Sequence, residues 1–269
     1  MGEKVAILGA GKMGEALLSG LLRAGRQAGD LVFTERHDDR TKMLEERYAI
    51  RGVTTAEAAS EADTLLVAVK PQEMSALLEE LATAVTPTNL VITIAAGIPT
   101  TFLESRLATG TPVVRVMSNT PVFVDQAMSA ISPGAHATEE HLARTEDLLR
   151  PVGKVIRVPE AQLDAVTALS GSGPAYFFFL VEAMIDAGIL LGLPRAVAAE
   201  LIVQTAVGSA QMLRDSGEHP VQLREAVTSP GGTTIAAIRE LENHGVRAAL
   251  LAALEAARDR SWELAQGVG

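Results

Sequence analysis

The stretch Val5-Ala6-Ile7-Leu8-Gly9-Ala10-Gly11-Lys12-Met13-Gly14 constrains this chain more than any other. Val5 to Leu8 is an apolar run with the length and flanks of a buried strand. Gly9, Gly11 and Gly14 follow at G-x-G-x-x-G spacing. Ala16, Leu17, Leu18, Leu21 and Leu22 then recur at helical spacing, and Gly25 closes the helix. In such a strand–turn–helix unit the first glycine permits the turn. The second lets a pyrophosphate approach the backbone, and the third lets the helix pack on the strand. Free N–H groups of the first helical turn point at the phosphates. The alternative is a merely glycine-rich turn. The strand before the motif and the helix after it favour a dinucleotide site.

The rest of the first half repeats the alternation of strand and helix. Strands are expected at Leu31-Val32-Phe33, Arg51-Gly52-Val53, Thr64 to Val69, Leu90 to Ile94 and Pro112 to Met117. Two more follow at Ala127 to Ser132 and Gly153 to Val158, around a helix from Glu139 to Leu149. The result is a doubly wound, Rossmann-like sheet with an extended edge. Thr54-Thr55-Ala56-Glu57 reads as a helix cap. Lys70-Pro71, after the strand at Thr64, should line the crevice beyond the carboxyl ends of the strands, although a plain surface lysine fits as well. Ala95-Ala96-Gly97 is small enough for a nicotinamide ring to lie against it.

Cofactor type is decided at the end of the second strand, by Thr34, Glu35 and Arg36. An acid there favours NADH, through a ribose 2′-OH. An arginine favours NADPH, through a 2′-phosphate. Both types are present, with Arg40 nearby. The Thr34 hydroxyl and the Arg36 fork tilt the reading towards NADPH, with NADH possible.

From Glu160 onward no strand signal is found. Pro159 is the best domain boundary, giving a dinucleotide-binding domain over 1–158 and an all-helical domain over 159–269. Tyr176 to Leu191 is apolar almost all round, with Phe177, Phe178, Phe179, Met184, Ile185 and Leu190 on different faces. A helix apolar on every face must be buried on every face, which predicts an obligate dimer; the centre of a monomeric bundle is the alternative. Glu182 and Asp186 lie inside this run, and each costs about 2.5–3.5 kcal/mol at a bilayer centre. A buried helix of a soluble, cytoplasmic protein is therefore expected, with no membrane partner. The N-terminus has no signal-peptide pattern.

A net charge of −10 disfavours nucleic acid as a partner. The absence of cysteine removes a thiol nucleophile and cysteine-ligated zinc, and no metal is expected. Ketone reduction usually needs a protein proton donor beside the new alkoxide. No lysine follows Lys154, neither Tyr48 nor Tyr176 has a lysine four residues on, and the five histidines lie in polar stretches. What remains is a second glycine-rich break, Thr228-Ser229-Pro230-Gly231-Gly232-Thr233-Thr234, which opens another helix. Exposed N–H groups there suit a small carboxylate, and the threonines add hydroxyls. A carboxylate-bearing substrate with a C=N bond fits this equipment, because an imine is basic enough to take its proton from solvent. A plain helix start is the bland reading of the same residues. Two other functions compete: a β-hydroxyacid dehydrogenase, which would need a lysine in the second domain, and a cofactor-sensing module with no substrate pocket.

The segment PVQLREAVTSPGGTTIAAIREL, Pro220 to Leu241, resembles the signature of the pyrroline-5-carboxylate reductase family. LSGSGPAY (from Leu169), AVKP (from Ala68), AAG (from Ala95) and SNTP (from Ser118) occur in the family's order, so the resemblance spans nearly the whole chain. It implies reduction of 1-pyrroline-5-carboxylate to L-proline, the last step of proline biosynthesis. By motif, Ser229, Gly232, Thr233 and Thr234 should hold the substrate, with Thr234 on the imine nitrogen as the catalytic residue. Glu160 matches a substrate-contacting acid, or else simply starts its helix. Leu8, Gly9, Ala10, Gly11, Lys12, Met13 and Gly14 should hold the cofactor. So should Thr34, Glu35, Arg36, Ala68, Val69, Lys70, Pro71, Ala95, Ala96 and Gly97. Thr55 and Ala226 stand where some members have asparagine, which puts side-chain contacts there in doubt. The resemblance also implies a homodimer, in the family often assembled into decamers, with the site at the dimer interface.

Overall fold

The computed structural model describes residues 3–266. Eight strands form one sheet: β1 (Val5–Leu8), β2 (Leu31–Thr34), β3 (Arg51–Gly52), β4 (Thr64–Val67), β5 (Leu90–Thr93), β6 (Val113–Met117), β7 (Ala127–Pro133) and β8 (Gly153–Arg157). Their order is β3-β2-β1-β4-β5-β6-β7-β8. The first six pair in parallel, β7 runs antiparallel to β6, and β8 is parallel to β7. All eight fall where the sequence places them, with ends shifted by a residue or two.

The helices beside the sheet are α1 (Lys12–Arg23), α2 (Asp38–Tyr48), α3 (Thr55–Glu61), α4 (Met74–Leu81), α5 (Thr100–Glu104) and α6 (Glu139–Leu149). Side chains alternate across each strand, so β1 sends Val5 and Ile7 to one face and Ala6 and Leu8 to the other. Leu17 and Leu21 of α1 and Leu148 of α6 meet the first face. Ala58 of α3, Leu78 of α4 and Leu103 of α5 meet the second. Each fully buried leucine or isoleucine contributes about 1.5–3 kcal/mol. The doubly wound arrangement follows from strands that are apolar on both faces.

The expected cap at Thr54 is a capping box. Thr54 Oγ1 accepts from the Glu57 N–H at 3.3 Å, and the Glu57 carboxylate accepts from the Thr54 N–H at 2.8 Å. One helix escaped the sequence reading. In α2 only Leu44 is buried, so its residues carry no apolar stripe.

The remaining helices are α7 (Leu163–Val166), α8 (Gly173–Leu190), α9 (Arg195–Ser216), α10 (Pro220–Ala226), α11 (Thr233–Asn243) and α12 (Val246–Gln266). Between α7 and α8 the small-residue break takes the form of a π-turn, Thr167–Gly171, closed by the Ser172 N–H on Thr167 O at 2.8 Å. Among the described residues no strand follows Glu160.

The chain divides into two compact units. Unit one runs to Ser172 and takes in the chain again from Ala257; unit two is Gly173–Ala256. Residues just beyond Pro159 are packed into unit one. Leu163 is fully buried and Ala168 nearly so, and Ser261 Oγ of α12 donates to Asp164 at 2.7 Å. The apolar helix expected at Tyr176 to Leu191 is not covered within the single chain. No residue of α8 is buried, and Phe178, Phe179 and Leu190 are 66%, 70% and 88% exposed. This excludes the centre of a monomeric bundle. No described residue of the chain buries this apolar helix.

Candidate active site

The loops after β1, β2, β3 and β4 line one cleft of about 500 Å3 at the carboxyl ends of the strands. It lies where the strand order reverses between β1 and β4, the usual place for a ligand in an open parallel sheet. Gly9 (φ +94°) makes the turn that a side chain would resist. Its N–H donates to Thr34 O at 3.2 Å and Thr34 Oγ1 at 3.1 Å, and the Ala10 N–H to Thr34 O at 2.9 Å. Thr34 thus holds the glycine loop in place. A Cβ on Gly14 would sit 2.2 Å from Gly9 O, so only glycine lets α1 approach the loop. A Cβ on Gly11 would meet nothing within 4 Å, so the backbone there is open to a ligand. Gly11 caps α1 without a side-chain bond, which leaves the first-turn amides free of a cap. These features fit a pyrophosphate.

Of the expected cofactor residues, Gly9, Gly11, Thr34, Glu35, Arg36, Thr55, Ala68, Val69 and Lys70 line the cleft. Leu8 and Ala10 are fully buried and shape the loop from beneath. Gly14 serves packing. Lys12, Met13, Pro71 and Ala95–Gly97 lie off this lining. Gly97 (φ +73°) approaches the end of α12, where its Cβ position is 3.6 Å from Leu264 and Ala265.

The charged residues differ in how free they are. Glu35 accepts from the N–H groups of Arg36 (2.8 Å) and His37 (3.2 Å) and pairs with Arg40 at 3.4 Å, so its carboxylate serves its own loop. Arg40 donates to Ala10 O at 3.0 Å and Glu15 at 2.7 Å. Arg36 stands 62% exposed on the cleft and touches Glu73 at 2.8 Å. The sequence reading missed Glu73, Leu77 and Glu80 as lining residues. The signal was Pro71, which as the first residue of a helical turn places Glu73 to reach back to the Lys70 N–H.

Glu160 has a structural duty. One oxygen accepts from the Thr100 N–H at 2.8 Å and from buried Arg115 at 3.1 Å, and the other from Thr100 Oγ1 at 2.7 Å. It caps α5 rather than its own helix, and its oxygens are already taken. Two of the five histidines also serve the fold. His141 and His219 use their rings at the starts of α6 and α10, and burial lowers the pKa of His141.

In unit two the glycine-rich break is the C-terminal exit of α10 and the start of α11. Thr228 Oγ1 donates to Arg224 O at 2.6 Å, and the Gly232 N–H to Ser229 O at 3.1 Å. Gly231 has φ +68°, and a Cβ on Gly232 would meet Ser229 Oγ at 2.3 Å. Gly232 caps α11 with no side-chain bond. The amides of the first turn, with Thr233 and half-buried Thr234, therefore remain without a protein cap. Ala226 ends α10, just before this loop.

Residues 160–264 match the family model for pyrroline-5-carboxylate reductase dimerisation, and residues 4–97 that for NADP oxidoreductase, coenzyme F420-dependent. A pyrroline-5-carboxylate reductase of Mycobacterium tuberculosis is 45% identical, covering 97% of this chain and 96% of the relative. The chain belongs to the pyrroline-5-carboxylate reductase family. A solved structure of the Coxiella burnetii enzyme is 34% identical with a TM-score of 0.92, covering 97% of this chain and 98% of that one. The Plasmodium falciparum pyrroline carboxylate reductase, solved with NADP bound, is 28% identical with a TM-score of 0.88, covering 98% of both chains. The competing dehydrogenase reading falls with these matches, and so does the sensing module.

Proposed function

We propose that this chain carries out the reaction of its family, reducing the C=N bond of 1-pyrroline-5-carboxylate to L-proline with NADPH. The observation that carries the reading is a cleft with an uncapped glycine-rich helix start, in a chain of this family whose second uncapped helix start follows Ser229-Pro230-Gly231-Gly232. When bound, the reduced nicotinamide would supply a hydride for the imine carbon. The chain's own residues bind and orient. Gly11 and the first-turn amides of Lys12 and Met13 take the pyrophosphate, and Arg36 takes the 2′-phosphate. The bound NADP of the Plasmodium relative supports this choice of cofactor. Ala95–Gly97 lie against the nicotinamide. Ser229, Gly232 and Thr233 hold the substrate carboxylate, and Thr234 Oγ1 hydrogen-bonds the ring nitrogen, which takes its proton from water. Glu160 supports the fold of unit one through Thr100 and Arg115.

The chain functions as a homodimer, through the apolar faces of α8 and α9, and dimers assemble further into a decamer. Both helices are long and apolar enough to cross a membrane. Glu182 and Asp186 in α8 and Glu200 in α9 argue for a second copy rather than lipid as the cover. The protein is cytoplasmic, with proline biosynthesis as its role, and neither nucleic acid nor a membrane is a partner. The test is NADPH consumption by the purified protein with the imine, set beside hydroxy and keto acids. Turnover with the imine alone is expected. Its absence overturns the reading. Sedimentation velocity should show a dimer or a multiple of one.

A further inference from the structure

We propose that Glu73 competes with the cofactor's 2′-phosphate for Arg36 and thereby sets how strongly the chain prefers NADPH to NADH. The inference rests on the reading of the cleft as an NADPH site.

Arg36 Nη1 lies 2.8 Å from Glu73 Oε1, and this pair joins the loop after β2 to the turn after β4. Both residues line the cleft. The other charged groups at the end of β2 are committed. Glu35 holds the N–H groups of Arg36 and His37, and Arg40 holds Ala10 O and Glu15. Arg36 is bound through one nitrogen of its fork and is largely exposed. It is the guanidinium placed to turn towards a ligand.

The two anions are not equal. An exposed ion pair is worth about 1 kcal/mol or less. A phosphate monoester carries about −1.5 to −2 charges and offers oxygens for a two-pronged contact with the fork. It takes Arg36 from a single carboxylate. The displaced Glu73 then remains beside a dianion, with Glu80 on the same lining, and like charges oppose each other. NADH has a 2′-hydroxyl and makes no claim on Arg36, so the ion pair persists at no cost. Glu73 therefore weakens NADPH binding and leaves NADH binding alone.

The test uses calorimetric titration of the whole protein with two probes, adenosine 2′,5′-bisphosphate and adenosine 5′-monophosphate. Glu73→Gln keeps an oxygen for the Lys70 N–H and removes the charge. It should tighten the bisphosphate about three- to tenfold and move the monophosphate by less than about twofold. The gain should shrink as salt is raised, and should vanish in an Arg36→Ala background. Equal tightening of both probes, weaker bisphosphate binding, or the same gain without Arg36 overturns the proposal. If the wild type binds neither probe nor NADPH, the cofactor reading falls with it. If the wild type prefers the bisphosphate and Glu73→Gln leaves that ratio unmoved, only the role of Glu73 is lost.

Discussion

Arg115 in the middle of β6 ends on the carboxylate of Glu160, with Nη1 to Oε1 at 3.1 Å and the arginine side chain 8% exposed. The same carboxylate caps α5 through Thr100. The acid therefore satisfies a buried cation and a helix start together, across the end of the sheet. Breaking a buried pair costs about 3–5 kcal/mol. Glu160 is partly exposed, so Glu160→Ala should cost about 1–3 kcal/mol, read as a lower urea midpoint. KM for the imine should change little. A variant with an unchanged midpoint and a raised KM would return Glu160 to the substrate.

Gly11 and Gly14 separate binding from folding within one loop. Gly14→Ala places a methyl 2.2 Å from Gly9 O, so α1 must shift, at about 1–3 kcal/mol. Thermal unfolding should report that loss. Gly11→Ala meets no protein atom within 4 Å, and its stability should stay within about 1 kcal/mol of wild type. On the proposed reading its methyl would stand where a pyrophosphate approaches. NADPH affinity should fall by at least about tenfold, measured by fluorescence titration. Equal losses of stability in the two variants would refute the distinction.

What could be read in advance follows from how local each signal is. The strands are short apolar runs buried on both faces, so Val5–Leu8 or Thr64–Val67 announce themselves in four residues. Helix α2 does not, because Leu44 alone touches the core. The glycine loop, Thr34, Arg36 and Lys70 were legible as one site, since each follows a strand whose end faces the crevice. Glu160 was not, because its partners Thr100 and Arg115 lie far away in the chain and meet it only when the sheet is complete. Nor was Glu73, whose duty depends on the distance between two loops. The all-apolar α8 pointed to burial and from there to a dimer, and no described residue of the chain buries it.

Asp125 carries the acid sensitivity of one exposed clamp. Arg23 at the end of α1 grips it at 3.0 and 2.6 Å, and that hydrogen-bonded pairing holds the Asp125 carboxyl below the usual carboxylate range. A depressed folded-state pKa stabilises above the unfolded value and is lost as pH falls through the folded one. The clamp is thus fully formed at neutral pH and weakens below about pH 4. Being exposed, it is worth about 1 kcal/mol or less. Asp125→Asn should be slightly less stable than wild type at pH 7. The difference should close as pH is lowered, in urea unfolding at a series of pH values. A gap that stays constant down to pH 2 would show that the cost does not come from the charge of Asp125.

Thr234 separates substrate chemistry from cofactor binding. It stands in the first turn of α11, a helix start that no side chain caps. On the proposed reading its hydroxyl is offered to the ring nitrogen, onto which the C=N electron pair moves as hydride adds to the carbon and which takes its proton from water. A hydrogen bond to a group carrying charge is worth about 1.5–3 kcal/mol, so Thr234→Ala should lower kcat about tenfold to hundredfold. The NADPH dissociation constant should stay nearly unchanged, because the residues proposed to hold the cofactor all lie in unit one. Thr234→Ser restores the hydroxyl and should recover most of the rate. If the alanine variant keeps its turnover, Thr234 is only part of a helix start, and orientation of the imine must rest on the Ser229 and Thr233 hydroxyls and the backbone amides beside them.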